Sequence, residues 1–316
     1  MARSRHVALM ACWVLCAASQ AVAQFGEKQP EGGPVLGEER TQRWKVGMIV
    51  TARAPCMNVF ATLPVPTNWP EQDVKVMDEQ ISATINHVKY RDIKGGIRQM
   101  LWAVPGLAAG DRAEALVIVE VTRRAIGLPV DTSVYQLPKK TPRDVKQYLA
   151  DSPLINARDR KIRELAKEIT ADKDNAWQQV EAIHDWVKDN IKHTNDKFKG
   201  TEKALSDKSG HIEDLTGLFI ALCRAAKIPA RTVWVPNYCY AEFYLEDAEG
   251  NGYWFPCELK ERTVFGSVSN EYIIMQKGDN IKVPEKDKPY RLVPEFVEAK
   301  VTGMGPQVTT VRQVVQ

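Results

Sequence analysis

The sequence predicts an α+β fold: an N-terminal β-sandwich-like domain followed by a domain that packs helices on an antiparallel sheet. Three observations carry this. Six short β-rich runs separated by turn signals fill residues 44–127. Three stretches with helical character follow between residues 142 and 192. A further helix of about five turns then gives way, at a proline, to three strands with short connections over residues 210–258.

Residues 1–23 read as a signal peptide. Arg3 and Arg5 precede the apolar run VALMACWVLCAA, and Ala21-Val22-Ala23 supplies small residues at a cleavage point before Gln24. The run is short for a membrane span, so a secreted or periplasmic protein with no stable membrane span is expected. A lipid anchor at Cys16 is disfavoured by the bulky Leu15 before it. Removing this segment takes the formal charge of +3 down by two arginines to +1, which points to neither nucleic acid nor a charged lipid surface. With 44% hydrophobic and 26% charged residues the remainder has the composition of an ordinary globular protein, and its length allows about two domains.

Residues 24–43 are rich in Gly, Pro and charge without period and read as a disordered lead-in. The six runs of the β-rich domain, 44–127, are WKVGMIVTA, MNVFATLPVP, QDVKVMDEQI, ATINHVKYRD, IRQMLWAVPGL and AEALVIVEVTRRA. Residues 128–140, with several prolines and the pair Lys139-Lys140, form a linker. Helices are expected at about 142–151, 157–171 and 174–192. The first opens with Thr141-Pro142-Arg143-Asp144, a capping Thr followed by proline at the first helical position. In the third, Trp177, Val180, Ile183, Trp186 and Val187 make an apolar stripe with His184 beside it, a pattern of core packing. Residues 193–209 read as a polar loop.

The stretch from Gly210 to Glu258 organises the second domain, 141–300. Leu215, Leu218, Phe219, Leu222 and Ala226 form one helical face, Glu213 and Asp214 sit in the first turn where the helix dipole favours negative charge, and Ile228-Pro229 stops the helix. Strands ARTVWVP, YCYAEFYLED and GYWFPCE follow. Beyond them EYIIMQK and RLVPEFVEA read as strands or packing segments that complete the core, and 301–316 as a flexible or extended tail.

Three motifs in this stretch resemble the transglutaminase-like superfamily of papain-like cysteine enzymes. They are Arg224-Ala225-Ala226-Lys227-Ile228-Pro229-Ala230-Arg231 at the helix end, Glu242-Phe243-Tyr244 in the middle strand, and Trp254-Phe255-Pro256-Cys257-Glu258 in the last. The resemblance covers about residues 140–260, and a β domain ahead of the core also occurs in relatives. It implies a Cys, His and Asp triad. Counting from the motifs, these positions fall on Ile212, Tyr238 and Glu258. A thiolate at a helix N-terminus is an effective nucleophile, which Ile212 cannot be, and a phenol is a poor base near neutral pH. The chain thus resembles a family member that kept the scaffold and lost the Cys and His, acting as a binding or structural module for an extended peptide or protein ligand, without a cofactor.

The alternative is an active cysteine peptidase, amidase or transglutaminase with a displaced nucleophile, for which Cys239, beside the lost His position, is the candidate. By the resemblance Tyr238 lies opposite Glu258, and Cys239 opposite Cys257. That pair is then either a cross-strand disulfide or two buried thiols. Tyr238 and Glu258 are expected to share a hydrogen bond. Cys223, within the helix, reads as a small core residue. His87, His184, His193 and His211 lack metal-ligand spacing, and Ser209 lacks an evident base at position 238.

Overall fold

The structure, a computed structural model, describes residues 32–315. The expected signal peptide, 1–23, and the first part of the expected lead-in lie outside the described residues. Those described form one compact unit with an α+β architecture.

Six strands come first: β1 (Val35–Thr51), β2 (Cys56–Val65), β3 (Gln72–Ile81), β4 (Val88–Ile93), β5 (Ile97–Leu107) and β6 (Arg112–Gly127). After a 3-10 turn at Lys146–Leu149 come α1 (Arg160–Thr170), α2 (Ala176–Asn190), β7 (Lys192–His193), α3 (Thr201–Asp207), β8 (Ser209–Gly210) and α4 (Ile212–Ala225). The chain then runs through β9 (Ala230–Val235), β10 (Tyr238–Glu246), β11 (Gly252–Cys257), β12 (Gln276–Lys277), β13 (Phe296–Val301) and β14 (Gln307–Val315).

Two four-stranded antiparallel sheets, ordered β14-β1-β6-β3 and β13-β2-β5-β4, make the sandwich. Alternation places Val46, Met48 and Val50 of β1, Val59, Ala61 and Leu63 of β2, Trp102 and Val104 of β5, and Val117, Val119 and Val121 of β6 in one shared core. The third sheet, β11-β10-β9-β12, packs against α4. Phe219, Leu222, Ala241, Phe243, Phe255 and Cys257 meet there in a second core, which Trp177, Val180 and Ile183 of α2 close from the far side.

Four segments differ from what their local sequence suggests. Residues 35–43 are not a disordered lead-in. They are the start of β1, paired with β6 as far as Val35 opposite Gly127. Their charges serve as cross-strand partners, with Arg124 Nε 2.9 Å from Glu39 and Arg43 Nε 3.2 Å from Glu120. A ribbon held by charge pairs carries no hydrophobic period, and so resembles a disordered segment. The C-terminal tail is extended and belongs to the sandwich: β13 pairs with β2 and β14 with β1, so the chain returns to the first domain for its last two strands.

Residues 142–151 make a single 3-10 turn instead of a helix. Ala150 turns extended, and its carbonyl, with the Ser152 hydroxyl, accepts from Arg224 Nη1 at 2.8 and 3.0 Å, so a tertiary partner takes the groups a longer helix would use. Within 193–209 a short helix, α3, sits between β7 and β8. It is stapled by Lys203 to Asp207 at 3.1 Å and anchored by the fully buried Ala204.

Candidate functional site

The motifs that carry the resemblance hold the scaffold together. Arg224 is buried in α4 and its Nη2 reaches both carboxylate oxygens of Asp279, at 2.8 and 2.9 Å, while Nε and Nη2 also donate to the Ala230 carbonyl. This ties the helix end to the start of β9 and to the chain beyond β12. Arg231 and Glu242 are register partners on β9 and β10, 2.7 Å apart, and the guanidinium lies 4.0 Å from the centre of the Trp254 ring. Glu242 also accepts from Lys277 Nζ at 2.6 Å, and the same ammonium bonds Glu71, between β2 and β3, at 2.6 Å. Burial opposes ionisation of Glu242, but Lys277 and Arg231 outweigh it and hold the carboxyl at about 2. A buried chain of alternating charge therefore joins the third sheet to the sandwich.

The start of α4, where the family's nucleophile belongs, is built with equal care. Asp214 is fully buried and accepts backbone N–H bonds from Lys199 at 3.0 Å, Gly200 at 2.8 Å and His211 at 3.0 Å. His211 caps in return, accepting from the Glu213 N–H at 3.4 Å. Gly210 is required here, because a Cβ on it would stand 2.6 Å from the Cβ of Asp214. β7 and β8 pair in parallel immediately upstream. The helix ends in a Schellman motif, with Ile228 N–H to the Cys223 carbonyl at 2.9 Å and Lys227 N–H to the Arg224 carbonyl at 3.1 Å. Lys227 occupies the left-handed position, φ 68°, that a glycine would take without strain.

Ile212 is the first residue of α4, only 8% exposed, and it belongs to the core beneath the helix. Tyr238 opens β10 and packs against the same core. Its ring lies 3.5 Å from Lys260 Nζ and 5.9 Å from the Tyr272 ring. Glu258 follows β11 and is 7% exposed. The Tyr238 hydroxyl is buried and makes no hydrogen bond of ordinary geometry among the described residues, yet it lies close enough to the Glu258 carboxylate for each to shift the other's titration. Burial, and then the neighbouring Glu258 charge, push the Tyr238 phenol well above its ordinary range. Burial also raises the Glu258 carboxyl, with Lys260 opposing. At neutral pH this phenol keeps its proton and cannot act as the missing base.

Cys239 is 1% exposed and faces the helix side of the sheet. Burial, and then the charge of Glu213 in the first turn of α4, push its thiol up to about 12. A strong leaving proton and open access, the two needs of a thiolate nucleophile, are both missing. The cross-strand register does not bring Cys239 to Cys257. β11 pairs Cys257 with Ala241 and Pro256 with Glu242, so Cys239 lies two residues past that pair. All of Cys56, Cys223, Cys239 and Cys257 are buried free thiols. The motifs fixed which face each residue takes but not the stagger, since the pairing is anchored at Glu242 and Pro256 and not at the triad positions.

Lys260, Tyr272 and Asp214 are the residues of this site that the motifs did not single out. Asp214 was legible only as an acid in the first turn. Its hub role depends on residues 199 and 200, brought in by the short helix α3.

Comparison with known proteins agrees with this geometry. Residues 163–259 match the transglutaminase-like superfamily. An uncharacterized protein of Haemophilus influenzae is 32% identical over 97 residues, a match that takes in 29% of this chain and 26% of that protein. A candidate cysteine protease from Cytophaga hutchinsonii shares the fold over 88% of this chain and 92% of its own, with a TM-score of 0.59 at 16% identity. The periplasmic domain of TgpA from Pseudomonas aeruginosa aligns over 69% of this chain and 87% of its own at 13% identity, with a TM-score of 0.33, too low to carry an argument. The chain carries a domain of the transglutaminase-like superfamily, on an α+β fold shared with that Cytophaga protein.

Proposed function

We propose that this protein is an exported, catalytically inactive transglutaminase-like domain protein that serves as a binding or structural module for an extended peptide or protein partner. One observation carries the reading: the positions of the family's nucleophile and base hold Ile212 and Tyr238, and the remaining carboxylate, Glu258, is buried beside a phenol that keeps its proton. Acyl transfer or hydrolysis needs a nucleophile within reach of a base, with the base oriented by a third group. Here only the third group remains. Export is supported by Arg3, Arg5 and the apolar run that follows them, and among the described residues no helix is long and apolar enough to cross a membrane.

The competing enzyme reading, with Cys239 as a displaced nucleophile, is disfavoured by the burial of that thiol and its raised pKa. The test is an assay of the purified protein for amine incorporation, with dimethylcasein and a fluorescent cadaverine, and for proteolysis of fluorescent casein. The reading expects no turnover above the buffer blank, in wild type and in the Cys239→Ala variant alike. Turnover that disappears in Cys239→Ala would reject it.

A further inference from the structure

A groove of about 580 Å³ opens on the sandwich, and none of Ile212, Tyr238 or Glu258 lines it. Its volume falls in the range of small-molecule sites. Phe60, Leu101 and Trp102 are part of its apolar lining, and Asn58, His87 and Lys89 are part of its polar lining. No carboxylate is among the lining residues, and Lys89 and His87, both exposed, make no ion pair among the described residues. The groove therefore pairs an apolar wall with uncompensated positive charge.

The sheet is irregular at this place. β4 pairs with β5 only from Val88 opposite Trp102 onward, yet β5 continues to Leu107, so the residues after Trp102 have β2 on one side and no β4 partner on the other. The β2–β5 ladder also skips one pair, between Met57–Gly106 and Val59–Val104. The residues passed over are Asn58, with a left-handed φ of 54°, and Pro105, which has no N–H to give. Both line the groove. Trp102 is 2% exposed and its side chain belongs to the sandwich core, on the face of β5 opposite Leu101 and Ala103.

We propose that this groove binds a small amphiphilic anion, an aliphatic or aromatic body ending in a carboxylate or sulfonate. The body lies against Phe60, Leu101 and Pro105, and the anionic end meets Lys89 and His87. Apolar burial supplies most of the affinity, and the Lys89 ammonium selects the sign of the head group, with the His87 ring as a neighbouring polar contact.

The test uses the full chain and 8-anilinonaphthalene-1-sulfonate as the fluorescent probe. Wild type is expected to show one saturable site, from which dodecanoate displaces the probe and dodecylammonium at the same concentration does not. Lys89→Glu should weaken the probe about tenfold, the size of one charge-assisted contact. Ala103→Trp, at an exposed position in the groove, should abolish the site. Both variants should melt with wild type, which separates loss of the site from loss of the fold. Unchanged affinity in both variants, or equal displacement by the cationic amphiphile, would overturn the proposal.

Discussion

Lys277→Met isolates the buried charge chain that joins the third sheet to the sandwich. Lys277, Glu71 and Glu242 are all nearly inaccessible, with side chains 3%, 4% and 2% exposed, and the ammonium sits 2.6 Å from each carboxylate. Methionine comes within one atom of the length of the lysine side chain and removes the charge. Glu242 then retains Arg231 at 2.7 Å, while the partner that Glu71 shared with it is gone. Removing one member of a buried ion pair costs about 3–5 kcal/mol, because the surviving charge is left uncompensated in low dielectric. Residues from Gly32 onward form one unit, so the loss should register in a single unfolding transition. At about 2.1 cal/mol/K per residue the unfolding entropy is roughly 0.6 kcal/mol/K, which converts the loss to a Tm lower by about 5–8 °C. Calorimetry at pH 7 reads it directly.

The pH dependence gives a second arm. Glu242 titrates at about 2 in the folded protein against an ordinary 4.5. A depressed carboxyl stabilises the fold above its unfolded pKa, and that contribution is lost as pH falls from about 4.5 towards 2. Lys277→Met weakens the depression, so the gap in Tm between wild type and variant should narrow across that window. A variant within about 1 °C of wild type at pH 7, or a gap that widens on acidification, would refute the reasoning.

Two further outcomes follow from the ends of α4 and β10. Tyr238→Phe removes a buried hydroxyl that makes no hydrogen bond of ordinary geometry, so stability measured by urea denaturation should be unchanged or higher by up to about 1 kcal/mol. A loss of that size would mean the hydroxyl holds the Glu258 carboxylate after all. Lys227→Gly relieves a left-handed lysine at the helix end and should raise stability by about 0.5–1 kcal/mol in the same assay.

What the sequence revealed and what it hid divide along a physical line. The helix of α4 and the three strands after it were legible because their signals are local: a 3.6-residue stripe, a proline stop, and strands joined by tight turns. The assignment of the triad positions to Ile212, Tyr238 and Glu258 rests on a count of the same local kind, run along the chain from the motifs. The stagger of β10 on β11 was not, because register depends on which pair the turn and the core anchor, and a shift of two residues keeps every side chain on its face. The long arm of β1 and the closing strand β14 were hidden because their partners are remote. Val35 pairs with Gly127 and Trp44 with Val314, and only those partners give the charged and threonine-rich runs a structural role. The Glu71–Lys277–Glu242–Arg231 chain was invisible for the same reason, although Arg231 and Glu242 lay in the very motifs that carry the resemblance.

The central claim is that the scaffold survives without a nucleophile, and thiol reactivity tests it most directly. The folded protein is treated with iodoacetamide at neutral pH and the modified sites are mapped by mass spectrometry. All four of Cys56, Cys223, Cys239 and Cys257 are buried, and burial pushes up the thiols of Cys223, Cys239 and Cys257. The account predicts that each labels slowly, and rapidly only after denaturation. Fast, stoichiometric modification of Cys239 in the native protein, abolished by unfolding, would show an activated thiolate and contradict it.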